Sequence, residues 1–275
     1  MIEILVEMFS YPFLVRAMVV GLLVSLCCAM LGVSLVLKRY SMIGDGLSNV
    51  GFGALAVASV LNVAPLSFAI PVVVAAAFFL LRMNENSLIK GDAAIALVST
   101  GSLSIGVLVM SLTTGMNLDV CNYMFGSILA MTQSDVYLSM VLSALVLLLF
   151  ILFYHKMFAI TFDETFAKAT GIRVGFYKML LAMLTALTIT LGMRLMGTLL
   201  ISSLIVFPAL TAMRLCRSFK WVIIHSIFIS VICFFLGLVM SYLVATPPGA
   251  SVVAMNIVMF FIYSLLSFVR KGVKR

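Results

Sequence analysis

Residues 17–37 read AMVVGLLVSLCCAMLGVSLVL, a run without a single charged side chain. A helix of this length rises about 30 Å, which matches the hydrocarbon core of a bilayer. The rest of the chain has the same character: of 275 residues, 64% are hydrophobic and 9% are charged, and the mean hydropathy is +1.29. Since soluble domains carry about 25% charged residues, the composition excludes an ordinary cytosolic enzyme. It predicts a polytopic membrane protein.

Nine apolar stretches, each bounded by charges or turn residues, predict an all-α membrane bundle of about nine transmembrane helices, or eight. The stretches are 17–37, 42–63, 66–81, 93–114, 136–154, 179–193, 195–213, 221–245 and 252–269. They leave no segment long enough for a separate soluble domain. Residues 1–275 are therefore interpreted as a single transmembrane domain.

Two further segments are expected to touch the bilayer without crossing it. Residues 1–16 combine two acids with three aromatic side chains, which is typical of an amphipathic lead-in at the outer interface. Residues 120–134 are apolar but short, and they contain a glycine and two amides. A re-entrant or interfacial hairpin fits this second segment better than a tenth span.

The distribution of basic residues predicts the orientation of the bundle. With nine spans and an external N-terminus, fifteen of the 17 Lys and Arg lie inside, and only Arg16 and Arg194 lie outside. If residues 120–134 also crossed, twelve would lie inside and five outside. Since cytoplasmic loops are enriched in Lys and Arg, we expect nine spans with a cytoplasmic C-terminus. This arrangement explains the formal charge of +8 without a nucleic-acid partner.

One acid differs from those in the loops. Asp45 lies where the second span begins, and an acid inside or at the mouth of a span is costly to bury and usually functional. Asn49 follows four residues later, on the same face of a helix. Oxygen atoms from that face are suitable ligands for a divalent cation. The alternative is an acid at the start of a helix, near Lys38 and Arg39, that the helix dipole stabilises.

Small residues surround this pair in the sequence. Gly44, Gly46, Gly51 and Gly53 let neighbouring membrane helices approach closely, which fits either a dimer interface or ordinary packing inside the bundle. A lone histidine in a later span, His225, is interpreted as a hydrogen-bonded packing residue rather than a metal ligand.

The longest internal polar segment, residues 155–178, falls on the predicted cytoplasmic side. Within it, Asp163 to Thr170 has helix-forming content and precedes Gly171, a typical residue to end a helix. A short cytoplasmic helix between two spans is therefore expected. The chain contains no G-x-x-x-x-G-K-[ST], G-x-S-x-G or H-E-x-x-H motif, so neither P-loop binding of ATP nor intramembrane hydrolysis is expected of it.

Five segments together resemble the permease subunits of ATP-binding-cassette importers for divalent metals, the zinc/manganese/iron family. They are VLKRYSMIGDGLSN at 36–49, NYMFGSILA at 122–130, FDETFAKATGI at 162–172, GTLLISSLIVFPALTA at 197–212 and PPGASV at 247–252. The matches occur in the order found in the family and extend over most of the chain.

The resemblance implies a transport subunit rather than an enzyme, in the multi-pass permease fold of the cobalamin and siderophore importers. It implies a homodimer in the prokaryotic cell membrane, with the pathway at the dimer interface and a divalent metal as the substrate rather than a resident cofactor. An extracytoplasmic protein would deliver the metal, and a separate cytoplasmic ATPase would dock on the coupling helix. That helix maps to Asp163, Glu164, Thr165, Phe166, Ala167, Lys168, Ala169 and Thr170.

The metal site of the family pairs an aspartate with a histidine four residues later. Asp45 matches the aspartate, whereas Asn49 stands where the histidine is expected. An amide oxygen in place of an imidazole nitrogen makes the site harder and weaker for zinc. The sequence therefore favours manganese or ferrous iron, or a site in which Asp45 acts alone.

The alternative function is a secondary transporter or channel that works without ATP. Such carriers usually need several ionisable groups in their spans, and many contain inverted repeats. The chain has one intramembrane acid and no repeat visible by eye.

Overall fold

The structure is a computed structural model that describes residues 12–86, 91–112, 126 and 133–272. Every regular element in these residues is helical. The ten helices are α1 (Pro12–Leu37), α2 (Ile43–Val60), α3 (Pro65–Asn86), α4 (Gly91–Ser111), α5 (Gln133–Leu152), α6 (Tyr154–Phe162), α7 (Glu164–Ala169), α8 (Val174–Leu215), α9 (Phe219–Val244) and α10 (Pro248–Gly272). In the described part of the chain, nine helical stretches are long and apolar enough to cross a membrane, which confirms the predicted all-α membrane bundle.

Helix α8 contains two of the predicted spans, 179–193 and 195–213. Its 42 residues would extend about 63 Å as one straight helix, roughly twice the hydrocarbon core. The backbone leaves the helical region at Gly197, where φ is 78° and ψ is 165°. A Cβ atom built on Gly192 would collide with the side chain of Ile201, a residue about 13 Å away along a straight helix. The chain therefore reverses at Gly197, which is the second residue of the later of two apolar stretches, α8a (Val174–Arg194) and α8b (Met196–Leu215).

We expect Gly197→Ala to destabilise the bundle, because essentially only glycine adopts this combination of φ and ψ, and strain of this kind costs about 1–3 kcal/mol. The thermal midpoint of the detergent-solubilised protein should fall. Gly175→Ala is the matched control, since no atom lies within 4 Å of a Cβ atom built there and alanine is favoured in a helix. Equal midpoints for the two variants would contradict the strained reversal.

The spans differ in how far they are covered by the rest of the protein. In the most apolar 18 residues of α1, 72% of the residues are buried by the rest of the protein, whereas the corresponding share in α10 is 11%. The uncovered surface is apolar: the side chains of Leu108, Leu265 and Phe268 are 62%, 66% and 77% exposed. Large exposed apolar surfaces are rare in soluble monomers, which fits a membrane protein. The difference in burial places α1 inside the bundle and α10 at its periphery.

Three boundaries in the structure differ from those of the sequence analysis. Helix α1 already contains residues 12–16 of the predicted lead-in, and its stretch apolar enough to cross a membrane starts at Leu14. The segment 155–178 contains a second helix, α6, which anchors itself through the buried side chains of Met157 and Ile160. The last residues of the 155–178 segment, from Val174 on, already belong to α8. The remaining lead-in and the hairpin proposed for 120–134 lie outside the described residues, apart from Gly126 and the start of α5.

Ion pairs join helix ends at both ends of the bundle. Arg194, at the end of α8a, donates to Asp135 in the first turn of α5 over 2.6 Å, and both side chains are largely buried. At the opposite end, Lys38 and Lys178 meet Glu164. The Arg194–Asp135 pair falls on the predicted outer side, and the pairs of Glu164 fall on the predicted cytoplasmic side. Arg194 is one of the two cations predicted outside, and Asp135 neutralises its charge there.

Candidate metal site and coupling helix

The structure places Asp45 in the first turn of α2, with its side chain exposed. The residue before the helix, Met42, provides no side-chain cap. A carboxylate here interacts favourably with the free backbone N–H groups and the helix dipole. That interaction explains why an acid is tolerated at this end of a span. It does not explain the polar contacts beside it.

Asp45 and Asn49 form a cluster with a third residue, Ser99 of α4. The Asn49 amide Nδ2 donates to Ser99 Oγ over 2.7 Å and lies 3.4 Å from Asp45 Oδ2. The Ser99 hydroxyl also lies 3.4 Å from the same carboxylate oxygen. Ser99 is 7% exposed, so the cluster reaches from the exposed carboxylate into the packed boundary between α2 and α4.

Glycines bring α2 and α4 close enough for this contact. A Cβ atom built on Gly46 would lie 2.6 Å from Ile95 Cγ2, and one on Gly53 would lie 2.8 Å from the carbonyl oxygen of Ser102. The other two glycines of the motif, Gly44 and Gly51, face α8. All four therefore serve packing within one chain. Of the two interpretations of these glycines, the structure supports the intramolecular one.

The atoms that this cluster could offer as ligands to a metal ion are oxygens. Asp45 supplies a carboxylate, Ser99 a hydroxyl and Asn49 an amide oxygen once its side chain turns by 180° about the Cβ–Cγ bond. Hard divalent cations bind six or more such atoms, so one copy of the cluster is an incomplete site. In the described residues, no group of three His, Cys, Asp or Glu side chains is placed to bind a metal ion.

Helix α7 forms where the sequence predicts the coupling helix. The Asp163 carboxylate accepts hydrogen bonds from the backbone N–H groups of Thr165 and Phe166, each over 2.9 Å, and so caps the N-terminus. At the other end Gly171 has a φ of 80°. The Gly171 N–H donates to the carbonyl of Lys168, and the next N–H reaches Ala167. This pair of bonds is the Schellman arrangement that ends a helix.

Glu164 ties α7 to two spans. One carboxylate oxygen lies 2.9 Å from Lys38 Nζ, at the end of α1, and the other lies 2.6 Å from Lys178 Nζ, at the start of α8a. The lysine side chains are 5% and 12% exposed, and that of Glu164 is 37% exposed. Burial alone would raise the pKa of Glu164. Hydrogen bonds and charge from Lys178 and Lys38 outweigh burial and hold the pKa below its ordinary value.

The outer side of α7 is open. Ala167 is fully buried and seats the helix on the bundle, whereas Phe166 is 63% exposed. Nearby Phe158 and Phe162 form a ring cluster with Phe219 and are also exposed. Exposed aromatic side chains in such a cluster are typical of a surface that binds another protein.

Sequence reasoning missed Ser99 and the two lysine partners of Glu164. A weak signal for Ser99 exists, since hydroxyl residues gather at 99–104 inside an otherwise apolar span. The contacts of Ser99 and Lys38 do not follow from local spacing, because their partners lie 50 and 126 residues away along the chain. His225 has the predicted hydrogen bond, with Nδ1 2.9 Å from the carbonyl oxygen of Trp221 one turn earlier, but its side chain is only half-buried.

Relatives of this chain are named for transport of three metals. A probable iron transport system membrane protein of Haemophilus influenzae is 30% identical and covers 97% of this chain and 94% of its own length. The manganese import system permease protein ScaB of Streptococcus gordonii is 27% identical, covering 99% and 98%. The high-affinity zinc uptake system membrane protein ZnuB of H. influenzae is 29% identical, covering 91% and 96%.

A solved structure has the same fold. PsaBC from Streptococcus pneumoniae, in complex with Fab, contains a chain that superposes with a TM-score of 0.85 at 30% identity, covering 96% of this chain and 95% of that one. The sequence profile of the ABC 3 transport family matches residues 10–267, which is nearly the whole chain. The protein therefore belongs to the ABC 3 transport family and is a multi-pass membrane transport subunit with the permease fold.

Proposed function

We propose that this chain is the permease subunit of an ATP-binding-cassette importer that moves a divalent metal ion into the cytoplasm. The observation that carries the proposal is the oxygen cluster of Asp45, Asn49 and Ser99 at the mouth of α2. A polar cluster of this kind, with one formal negative charge in a span, is expected on an ion pathway. The iron and manganese named in two of its relatives agree with that charge and with oxygen ligands.

The donors of the cluster favour manganese or ferrous iron over zinc. Zinc prefers four nitrogen or sulfur ligands, whereas carboxylate, amide and hydroxyl oxygens suit harder ions. A transport site also has to release its ion, and weak neutral oxygens such as those of Asn49 and Ser99 permit release. Asp45 supplies the attraction for a cation, and its two partners orient the carboxylate.

Two copies of the chain would complete the site. One cluster offers too few oxygens for a six-coordinate ion, and Asp45 is exposed in the single chain. A symmetric dimer would bring a second Asp45 and Asn49 to the same ion. The pathway would then run along the dimer interface beside α2 and α4.

A separate ATPase subunit would supply the energy through α7. Its docking surface would be the exposed side of the coupling helix, with Phe166 as an aromatic anchor. Movement of α7 would reach α1 and α8a through the two ion pairs of Glu164. Lys38 lies seven residues before Asp45, so the same movement reaches the start of α2. An extracytoplasmic protein would deliver the metal to the opposite end of the bundle.

The choice of metal is tested by Asn49→His in a host that lacks this permease. Cellular manganese, iron and zinc are measured after complementation with wild type or the variant. We expect an imidazole nitrogen beside Asp45 to raise zinc accumulation severalfold relative to manganese and iron, because zinc prefers nitrogen ligands. Asn49→Gln is the control, since it keeps an amide oxygen. An unchanged metal ratio in Asn49→His would remove residue 49 from the site.

A further inference from the structure

A basic groove lies between the ends of three spans, on the same end of the bundle as α7. It has a volume of about 560 Å³ and lies between α8b, α9 and α10. Arg214, Arg217 and Arg270 line it together with Trp221, His225 and Ser267. The groove contains none of the residues assigned above to the metal site or to the coupling helix.

The arginines of the groove have no acidic partner in the part of the chain that the structure describes. All nine Asp and Glu residues of the protein precede residue 165, whereas eleven of the 17 Lys and Arg follow it. Arg214 stacks over the ring of Phe260 at 5.0 Å, which leaves the edge of its guanidinium available. Three guanidinium groups around one cavity favour an anion with several oxygen atoms.

An exposed apolar face of α9 adjoins the groove at Trp221. Trp221 is 56% exposed on the same face of α9 as Ile224 and Phe228, which are 42% and 60% exposed. Tryptophan prefers the level of lipid headgroups, and exposed apolar residues beyond it face acyl chains. A ligand that fits both features carries an anionic group at the end of the span and an apolar body along it.

We propose that this groove binds the headgroup of an anionic phospholipid, with the phosphate among the three arginines and the acyl chains along the exposed face of α9. Basic pockets between transmembrane helices are known to bind such headgroups. A free phosphate would use the arginines but would gain nothing from the apolar face. A protein reaching the groove from the water phase would leave Phe228 uncovered, because that residue lies about two turns farther into the span. The phospholipid accounts for both parts of the surface.

Trp221 makes the proposal measurable, because it is the single tryptophan of the chain. The full-length protein is purified in detergent and mixed with phospholipids whose acyl chains carry bromine, which quenches nearby tryptophan fluorescence. We expect brominated phosphatidylglycerol to quench Trp221 at a severalfold lower mole fraction than brominated phosphatidylcholine. The triple variant Arg214→Gln, Arg217→Gln and Arg270→Gln should lose this preference while phosphatidylcholine still quenches it as before.

A second triple variant separates a defined site from diffuse charge. Lys168→Gln, Arg173→Gln and Lys220→Gln remove the same net charge from residues that do not line the groove, and this variant should keep the preference. Equal quenching by the two lipids in wild type, or equal loss in both triple variants, would overturn the proposal. Abolition of the preference by millimolar inorganic phosphate would identify a small-anion site instead. Shielding of Trp221 from both lipids by the added ATPase subunit would identify a protein interface.

Discussion

Replacing Asp45 with alanine abolishes metal uptake while the protein still reaches the membrane: this is the largest effect that we expect. Asp45 carries the only formal negative charge of the cluster, and loss of residues that merely orient metal ligands already costs about 10–100-fold. The fold should tolerate the change, because the side chain is exposed and both of its described side-chain contacts are long, at 3.4 Å. Uptake of manganese or iron into cells, divided by the amount of protein in the membrane, measures the effect.

Asp92→Ala is the matched control for this variant. Asp92 is also an exposed acid in the first turn of a transmembrane helix, α4, and it experiences the same helix dipole as Asp45. If Asp45 only stabilises a helix terminus, the two variants should behave alike. We expect Asp92→Ala to retain most of the uptake. Normal uptake by Asp45→Ala would exclude the carboxylate from the mechanism.

Glu164→Gln should uncouple ATP hydrolysis from transport. Glutamine removes the carboxylate that pairs with Lys38 and Lys178, whose side chains are largely buried. Breaking a buried ion pair costs about 3–5 kcal/mol. Since Glu164 is itself 37% exposed, we expect a smaller cost and a roughly tenfold loss of metal transported per ATP hydrolysed. Reconstituted permease and ATPase, assayed for both quantities, provide the measurement.

The lysine partners make this prediction specific. Lys38→Met should cause a similar defect, and the double variant should be scarcely worse than either single one, because both remove the same contact. Lys156→Gln, a change at an exposed cation of α6, should have little effect. If the coupling losses of the two changes were fully additive, the changes would act separately, and the proposed linkage through Glu164 would be contradicted.

The pKa of Glu164 sets the pH range of this contact. A carboxyl whose pKa is lowered by folding stabilises the folded state at pH values above its ordinary pKa. That contribution is lost only as the pH falls through the lower value of the folded protein. Coupling through Glu164 should therefore be constant between about pH 6 and 8, since the ordinary pKa of Glu is about 4.3. Acidification within this range should not mimic Glu164→Gln.

Local signals in the sequence were sufficient for the spans and for the short helix α7. Asp163 and Gly171 define the ends of α7 through contacts within a few residues. The sequence predicted the terminating glycine, but it placed Asp163 inside the helix rather than at its cap. The pair Asp45 and Asn49 shares a helix face because their spacing is four residues. Such features depend on residues that are neighbours in the sequence, and they depend little on how distant helices pack.

Contacts between helices could not be predicted from the sequence. Ser99 joins the metal cluster only because Gly46 and Gly53 allow α4 to pack against α2. The reversal occurs at Gly197, whereas the apolar spacing placed the break between the two spans three residues earlier, at Arg194. Helix α6 was hidden because its apolar residues continue the hydrophobic character of α5. For Ser99, a partner 50 residues away along the chain decides the outcome.

The most direct test of the account is metal uptake by liposomes that contain this chain and its ATPase subunit. Metal-loaded binding protein is supplied on one side and ATP on the other, and radioactive manganese inside the liposomes is counted. The account predicts uptake that requires hydrolysable ATP and disappears in Asp45→Ala. Equal uptake without ATP would contradict it and would identify a secondary transporter or channel.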